Sequence, residues 1–207
     1  MLRHLAMLAF AVLTATAAGA QADPDIAPIR GIFVHVQPDI ADDRFVTPLM
    51  ERLRRDLAPP VTLNRSRLDL AAVPVRLWRY DAEALVRLVA GHVDPVAGEG
   101  FIHVLLVPRD MRSGVARFWF AYSHGGRAEP RRVIVVSLAR LADANPQVTA
   151  ARVARLVEKN AARVAGLAGS DLCVMDFPNS LAVLDAMPET WCEPDRARLV
   201  AAGLARP

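Results

Sequence analysis

The sequence has little lysine, few aromatic residues and few cysteines. Lys159 is the only lysine in a chain with 25 basic residues, aromatic residues make up 6% of the sequence, and there are two cysteines. The arginines are spread over the whole length, and the formal net charge is only +3. A nucleic-acid-binding domain usually concentrates its basic residues in one patch beside exposed aromatic side chains. We therefore expect no nucleic-acid partner.

Long apolar runs are missing except at the amino terminus. Arg3 precedes an uncharged stretch over residues 5–20, and Ala20-Gln21-Ala22 then matches a small-residue cleavage site. The stretch is shorter than the ~18 apolar residues expected of a membrane helix, which disfavours a retained anchor. We predict that residues 1–22 are a signal peptide and that the protein is exported, to the periplasm or the extracellular space. After cleavage no membrane span remains.

Residues 23–207 have the size of one domain with its own core. They contain 24 basic and 22 acidic residues, a formal charge of +2, and no linker or internal repeat divides them. Both cysteines, Cys173 and Cys192, lie in this portion. Thiols in an oxidising compartment usually pair, so export implies one disulfide. Nothing in the pattern favours a particular oligomeric state.

Hydrophobic periodicity predicts strands that alternate with helices. Apolar, β-branched runs indicate strands, and apolar residues at i, i+4 spacing indicate helices. Strands are predicted at 31–36, 61–63, 73–78, 101–107, 115–122 and 133–137, and helices at 45–57, 81–89, 148–167, 179–186 and 194–202. This order is typical of an α/β domain with a mixed sheet, packed helices and a loop-rich C-terminal part.

The longest predicted helix carries a stripe of basic residues. Four basic side chains recur three or four residues apart on one face of residues 148–167, namely Arg152, Arg155, Lys159 and Arg163. Like charges at this spacing repel each other and are best tolerated in water. A solvated face is therefore the simplest interpretation. An anion-binding surface that includes Lys159 and Arg163 is the functional alternative.

Two segments near the C-terminus resemble the archaemetzincins, a family of zinc metallopeptidases. The first, 173–185, contains Cys-Val-Met-Asp-Phe-Pro-Asn-Ser-Leu, and the second, 191–199, begins Trp-Cys-Glu-Pro-Asp. In that family a zinc-binding helix, H-E-x-x-H-x-x-G-x-x-H-C, precedes a C-x-M and an Asn-Ser-Leu stretch. The similarity extends over about residues 32–199 and is strongest in the last third. It implies a metzincin-like mixed sheet with a cleft beside that helix.

The positions that correspond to the zinc ligands do not carry ligands. With Gly166 matched to the glycine of the motif, the two helical histidines fall on Lys159 and Arg163, the glutamate on Asn160 and the third histidine on Gly169. Lysine and arginine are cations at neutral pH and would repel Zn²⁺, and an asparagine amide is no general base. The resemblance therefore implies a degenerate site with no catalytic residue, no metal and no cofactor.

No other residues restore a zinc site. Placing Glu158 at the glutamate position puts apolar residues where the histidines should be. No two of the five histidines have a ligand-like spacing, and His35 and His103 lie within apolar strands, so structural or solvated roles are expected. His124 differs from the others, because it follows a strand that resembles the family's cleft-edge strand.

The second metal site of the family, built from four cysteines, is also incomplete. Its positions correspond here to Ser170, Cys173, Cys192 and Asp195. Two thiolates alone make a poor structural zinc site. The resemblance therefore implies that Cys173 and Cys192 form a disulfide in its place.

These observations predict an exported, non-catalytic pseudopeptidase that retains the cleft of the family. Lys159, Arg163 and His124 are its candidate residues for binding a peptide or an anionic ligand. Two alternatives stay open. One is an active zinc-dependent metallopeptidase that uses other ligands, and the other is an interaction or scaffold protein whose partner surface lies elsewhere.

Overall fold

The computed structural model describes residues 26–65, 67–93, 99–114, 120–126, 131–167, 175 and 178–207. In chain order its elements are β1 (Gly31–Val36), α1 (Val46–Asp56), β2 (Val61–Asn64), a short 3-10 helix (Leu70–Ala72), β3 (Val75–Arg76), β4 (Arg79–Asp81), α2 (Ala82–His92), β5 (Phe101–Val107), β6 (Met111–Arg112), β7 (Ala121–His124), β8 (Arg132–Ser137), α3 (Pro146–Ala165), α4 (Leu181–Ala186) and α5 (Glu193–Ala201). The predicted signal peptide, residues 1–22, lies outside the described residues, as do residues 115–119 of the predicted aromatic strand.

A five-stranded sheet forms the centre of the fold. Its strand order is β2-β1-β5-β8-β7, with β7 antiparallel at one edge and the other four strands parallel. A parallel strand covered on both faces needs apolar residues at successive positions rather than at alternate ones. The middle strand, β5, has the sequence FIHVLLV and meets this requirement. The predicted α/β fold with a mixed sheet and packed helices is confirmed.

Helices cover both faces of this sheet. Ile102, Val104 and Leu106 of β5 enter a core that includes α1 and α3, while Leu105 and Val107 enter a second core that includes α2. α3 also packs against α1, and 15 of its 20 residues are buried. A surface helix would show a broad polar face to solvent. α3 is therefore an internal helix, and its polar side chains need partners inside the protein.

α3 has well-defined ends. Asn145 caps the amino terminus with its side-chain oxygen, which accepts a hydrogen bond of 3.0 Å from the amide two residues on, and Pro146 follows in the first turn. At the other end Gly166 has a φ of 113°, a conformation that glycine adopts without strain. The amide of Leu167 then donates to the carbonyl of Ala162 at 3.0 Å. The chain therefore reverses sharply at Gly166.

α3 runs back along the sheet, from the side where the parallel strands end to the side where they begin. It follows β8, and it ends close to the start of β1, where the amide of Ala27 donates to the carbonyl of Ala165 at 2.7 Å. β7 runs antiparallel to β8 and pairs His124 with Val133, so β7 ends at this same edge. We call it the amino edge, since the parallel strands begin there. The end of α3 and His124 both lie at the amino edge.

A second sheet has the strand order β3-β4-β6. β3 and β4 form an antiparallel hairpin, and Leu77 and Trp78 make its two-residue loop. The prediction of a single strand over residues 73–78 is therefore wrong. The chain turns inside an apolar run, and the turn contains none of the glycine, asparagine or proline residues that usually mark one.

The C-terminal part contains α4 and α5 and returns to α1. The amide of Ala58 donates to the carbonyl of Leu204 at 3.0 Å, and the amide of Arg206 donates to the carbonyl of Asp56 at 3.0 Å. Met175 is buried in the core that includes α1 and α3. Within the described ranges, no helix combines the length and the hydropathy needed to cross a bilayer.

Candidate functional site

The positions predicted to correspond to the zinc ligands lie in the last part of α3. Asn160 is buried, and its Nδ2 atom donates to the carbonyl of Leu156, one turn earlier, at 2.7 Å. Lys159 is buried and Arg163 is exposed. Gly169 lies outside the described residues. An ammonium and a guanidinium offer no lone pair to a metal ion, and the Asn160 amide is engaged within the helix.

The basic stripe of α3 is not a solvated face. Arg152, Arg155 and Lys159 are only 7%, 8% and 5% exposed, and Arg163 alone is exposed. The simplest interpretation of the stripe is therefore wrong for three of its four members, because α3 is an internal helix. A buried cation is strongly unfavourable unless a carboxylate or several carbonyl groups compensate it.

Arg152 finds such partners in the C-terminal part. Its Nε and Nη2 atoms donate to the two carboxylate oxygens of Asp185, each at 2.7 Å, and Nη1 donates to the carbonyl of Leu141 at 3.1 Å. These hydrogen bonds raise the pKa of Arg152 and lower the pKa of Asp185. Arg155 contacts Glu189 through Nη2 at 3.4 Å. Both arginines therefore attach the segment that contains α4 to α3, which is a structural role.

A buried ion pair joins α3 to α1. Arg52 donates through Nε and Nη2 to the two carboxylate oxygens of Glu158, at 3.2 and 3.1 Å, and Nη2 also donates to the carbonyl of Glu189 at 2.6 Å. Burial raises the pKa of Glu158 to about 7, although Arg52 acts in the opposite direction. Each residue of a helix is turned by about 100° from the one before it, so residues two apart point to nearly opposite sides of the helix. Glu158 therefore cannot act at the side of α3 that position 160 occupies.

The sequence analysis did not predict the contact between Arg52 and Glu158. Arg52 and Glu158 are 106 residues apart, and each lies in a helix whose pattern is compatible with an exposed charge. The only signal was the position of Glu158 between apolar residues of a long helix. That signal becomes informative once α1 is known to pack against α3.

Two histidines on neighbouring strands meet on the face of the sheet that α2 covers. His35 Nε2 and His103 Nδ1 are 3.1 Å apart, so one ring donates a hydrogen bond to the other. Phe33 stacks on His103 with ring centroids 5.3 Å apart. Burial lowers the pKa of His35 to about 4, and the charges of His103 and His92 act in the same direction. Burial also lowers the pKa of His103. Both rings are therefore neutral at neutral pH.

The sequence predicted structural roles for His35 and His103 but not their contact. They are 68 residues apart, and the contact depends on the parallel register of β1 and β5, which pairs Phe33 with His103. A zinc site needs at least three protein ligands. Among the described residues, no three His, Cys, Asp or Glu side chains are placed to hold a metal ion. The histidine pair is therefore a hydrogen bond of the core.

Two of the three candidate binding residues are exposed at the amino edge. His124 ends β7, and Arg163 lies in the last turn of α3. Both side chains are exposed, whereas Lys159 is 5% exposed. His124 pairs with Val133, which belongs to the core that includes α2, so the His124 side chain lies on the opposite face of the sheet from α3 and Arg163. A small ligand at this edge would therefore meet Arg163 without His124, and Lys159 is buried.

An open cavity of about 640 Å³ lies at the opposite edge of the sheet. Gln37, which follows β1, and Arg109, which follows β5, line it together with Tyr80 and Arg67. Here the chain leaves β1 and β5 toward opposite sides of the sheet, and open α/β sheets commonly bind ligands at such a point. The cavity is separate from the predicted site, and the sequence analysis did not anticipate it.

The predicted disulfide involves a residue that the structure does not describe. Cys192 immediately precedes α5, and Asp195, in the first turn of that helix, is buried. Ser170 and Cys173 lie outside the described residues, so the pairing of Cys173 with Cys192 stays a prediction.

No protein-family model matches the sequence, and no curated protein matches it. Solved structures match in fold. An archaemetzincin from Archaeoglobus fulgidus complexed with malonate is 21% identical, with a TM-score of 0.64 over 80% of this chain and 99% of its own. An archaemetzincin from Methanopyrus kandleri is 23% identical, with a TM-score of 0.64 over 90% and 96% of the two chains. A zinc-dependent peptidase from Methanocorpusculum labreanum is 17% identical, with a TM-score of 0.62 over 82% and 100%. This chain therefore has the archaemetzincin fold, and the resemblance is confirmed for the fold.

Proposed function

We propose that this protein is an exported, non-catalytic relative of the archaemetzincins that binds a peptide or an anionic ligand at the amino edge of its sheet. The observation that carries the proposal is the use of polar side chains in α3. Glu158 is paired with Arg52, and Asn160 donates to the backbone of its own helix. The helix that resembles the family's zinc helix therefore uses these groups for packing, and Lys159 and Arg163 supply no metal ligands.

The binding half of the proposal rests on the exposed groups at the amino edge. Arg163 and His124 are both exposed there. A guanidinium binds a carboxylate through two parallel hydrogen bonds, so Arg163 is the group that holds the anion. His124 lies on the other face of the sheet, where only a longer peptide would reach it as well. One archaemetzincin structure contains malonate, a dicarboxylate, which makes malonate a suitable first probe. The carboxyl terminus or an acidic side chain of a peptide would present the same chemistry.

Metal content and proteolysis of the purified mature protein test the non-catalytic half. We expect far less than one zinc per chain after exposure to zinc and dialysis. Cleavage of an unfolded protein substrate should stay at the background level and should not respond to a chelator. Stoichiometric zinc together with chelator-sensitive cleavage would show that the protein is an active metallopeptidase with other ligands.

A reconstructed site provides the positive control. The variant Lys159→His, Asn160→Glu, Arg163→His and Gly169→His should bind one zinc, because Gly166 already reverses the chain where the motif requires it. The same variant with Asn160 retained should bind zinc without cleaving substrate, since it lacks the carboxylate that deprotonates the metal-bound water. A folded quadruple variant that binds no zinc would contradict the assignment of these positions.

Calorimetric titration with malonate and with a short acidic peptide tests the binding half. Arg163→Gln should weaken binding by about tenfold, because it removes the charged fork that holds the carboxylate. Arg87→Gln, which alters an exposed arginine on α2, is the matched control and should leave the affinity unchanged. Equal losses in the two variants, or no loss in Arg163→Gln and His124→Gln, would contradict a site at the amino edge.

A further inference from the structure

The hairpin of β3 and β4 presents two large apolar side chains to solvent. Leu77 is 83% exposed and Trp78 is 86% exposed, more than any other large hydrophobic residue in the described part of the chain. Val75, at the base of the same hairpin, is 43% exposed. Single apolar residues on a surface are common, but neighbouring ones of this size usually mark a contact with another molecule.

The backbone of the hairpin tip is strained. Leu77 has a φ of 51° and Trp78 a φ of 64°, both in the left-handed region. A two-residue hairpin loop with positive φ at both positions is a type I′ turn, for which Asn-Gly is the favoured sequence. Leucine and tryptophan lack the short polar side chain or missing Cβ that relieves this conformation. Neither the turn nor the core therefore explains these two residues.

The tip is held on a rigid base. Tyr80 of β4 is 4% exposed, and its amide donates to the carbonyl of Asp110 at 2.9 Å. The Arg109 guanidinium lies 5.7 Å from the centre of the Tyr80 ring. Asp81 ends the hairpin and caps α2 through the amide of Ala84 at 2.7 Å. The two exposed side chains are therefore presented in a fixed direction, which lowers the entropy lost when they bind.

The size and charge of the tip favour a lipid surface over a protein partner. Two side chains form a convex point that is much smaller than the ~800 Å² that each partner contributes to a stable protein interface. Tryptophan and leucine are favourable at the boundary between headgroups and acyl chains. Arg76 is exposed beside them, and Arg79 lies opposite it at the foot of the loop. Arg79 also contacts Asp110 at 3.4 Å, which leaves Arg76 as the cation nearest to an approaching headgroup.

We propose that the Leu77–Trp78 hairpin tip docks the folded domain onto the surface of an anionic phospholipid bilayer. The two apolar side chains enter the headgroup region, and the Arg76 guanidinium binds lipid phosphate. The domain does not cross the bilayer. This inference is independent of the metal-site positions in α3, because the hairpin lies in the other sheet.

Co-sedimentation with vesicles tests the proposal on the complete mature chain. Vesicles of phosphatidylcholine alone are compared with vesicles of equal parts phosphatidylcholine and phosphatidylglycerol, at low and high salt. We expect binding to the anionic vesicles that weakens with salt, and a blue shift of tryptophan emission on binding. The variant Trp78→Phe should still bind but should lose the blue shift.

Two variants separate docking from folding. Leu77→Asn with Trp78→Gly installs the residues that the turn prefers, so the unfolding temperature should stay the same or rise while vesicle binding falls by more than about tenfold. Val183→Ser removes an exposed apolar side chain on α4 and should leave binding unchanged. Absence of sedimentation, equal binding to neutral vesicles, or full binding by the double variant would overturn the proposal. Self-association that the double variant abolishes, without lipid binding, would assign the tip to a contact between copies instead.

Discussion

Replacement of His35 by glutamine should change how the stability of this protein depends on pH. In the folded state burial lowers the pKa of His35 to about 4, whereas the ordinary value of 6.5 applies in the unfolded chain. The fold therefore favours the neutral ring. The stability contributed by this preference is fully present above about pH 6.5 and decreases as the pH falls toward 4, where the folded state also takes up the proton.

The size of the effect follows from the two pKa values. A shift of one pKa unit corresponds to about 1.4 kcal/mol, so full protonation of His35 would remove roughly 3 kcal/mol of stability. Between about pH 7.5 and pH 5 the linkage relation gives a loss of about 2 kcal/mol. His35 is 7% exposed, so solvent screening reduces this value little.

The pH dependence of stability must be compared between variants, because Glu158 also takes up a proton in this pH range and changes the stability in the opposite direction. Burial raises the pKa of Glu158 from its ordinary 4.5 to about 7, so its protonation stabilises the fold as the pH falls through this window. Urea unfolding of the parent protein and of His35→Gln is therefore compared at both pH values. Trp191 is buried and should report unfolding by fluorescence.

The parent protein should lose about 2 kcal/mol more than His35→Gln between the two pH values. His124→Gln is the matched control, because it removes an exposed histidine at the amino edge, and it should lose as much as the parent. If His35→Gln keeps the full pH dependence of the parent, the His35 ring is not held neutral by the fold. The hydrogen bond between His35 and His103 would then be unimportant for stability.

Three further predictions concern the C-terminal part and the mature chain. Arg152→Ala should lower the free energy of unfolding by about 2 kcal/mol, because it leaves a partly exposed carboxylate on α4 without its partner. The control Arg163→Ala, which removes an exposed arginine, should change the free energy of unfolding by less than about 0.5 kcal/mol. Equal losses would contradict the role of Arg152 in attaching α4 to α3. A thiol assay on denatured, unreduced protein from its native compartment should find no free thiol, whereas two free thiols would exclude the bond between Cys173 and Cys192. Mass spectrometry of the exported protein should give a chain that lacks residues 1–22, and an intact chain would contradict export by this signal.

The sequence was sufficient for the elements whose signal is local. The apolar, β-branched run at 31–36 became β1, and the run at 101–107 became the middle strand of the sheet. The helix predicted at 81–89 became α2, and Asp81 caps its amino terminus. The helix predicted at 148–167 became α3, which begins two residues earlier because Asn145 caps it and Pro146 follows in its first turn. Local chemistry decides such features, whatever the rest of the chain does.

Contacts between distant segments could not be predicted in the same way. The basic stripe was interpreted as solvated because repulsion within a helix is a local effect, but Arg152 is compensated by Asp185, 33 residues away. The contact between His35 and His103 depends on the register of two parallel strands, which no pattern within either strand specifies. The hairpin at Leu77 was missed because its turn carries the residues that a strand would prefer.

The last part of α3 shows why the family resemblance was easier to detect than its consequence for metal binding. A zinc helix needs a backbone that reverses after the second ligand, and Gly166 provides that reversal here with its left-handed conformation. It also needs side chains with free lone pairs at the ligand positions, but positions 159 and 163 carry cations, and the carboxylate of this helix, Glu158, is paired with Arg52. Rotating the helix to bring Glu158 toward position 160 would separate it from Arg52 and break a buried ion pair, leaving the guanidinium its longer contact of 3.5 Å with the carboxylate of Asp56. The ion pair therefore fixes the orientation of α3, and a gain of metal binding requires new side chains at 159, 160, 163 and 169 rather than a shift of the existing ones.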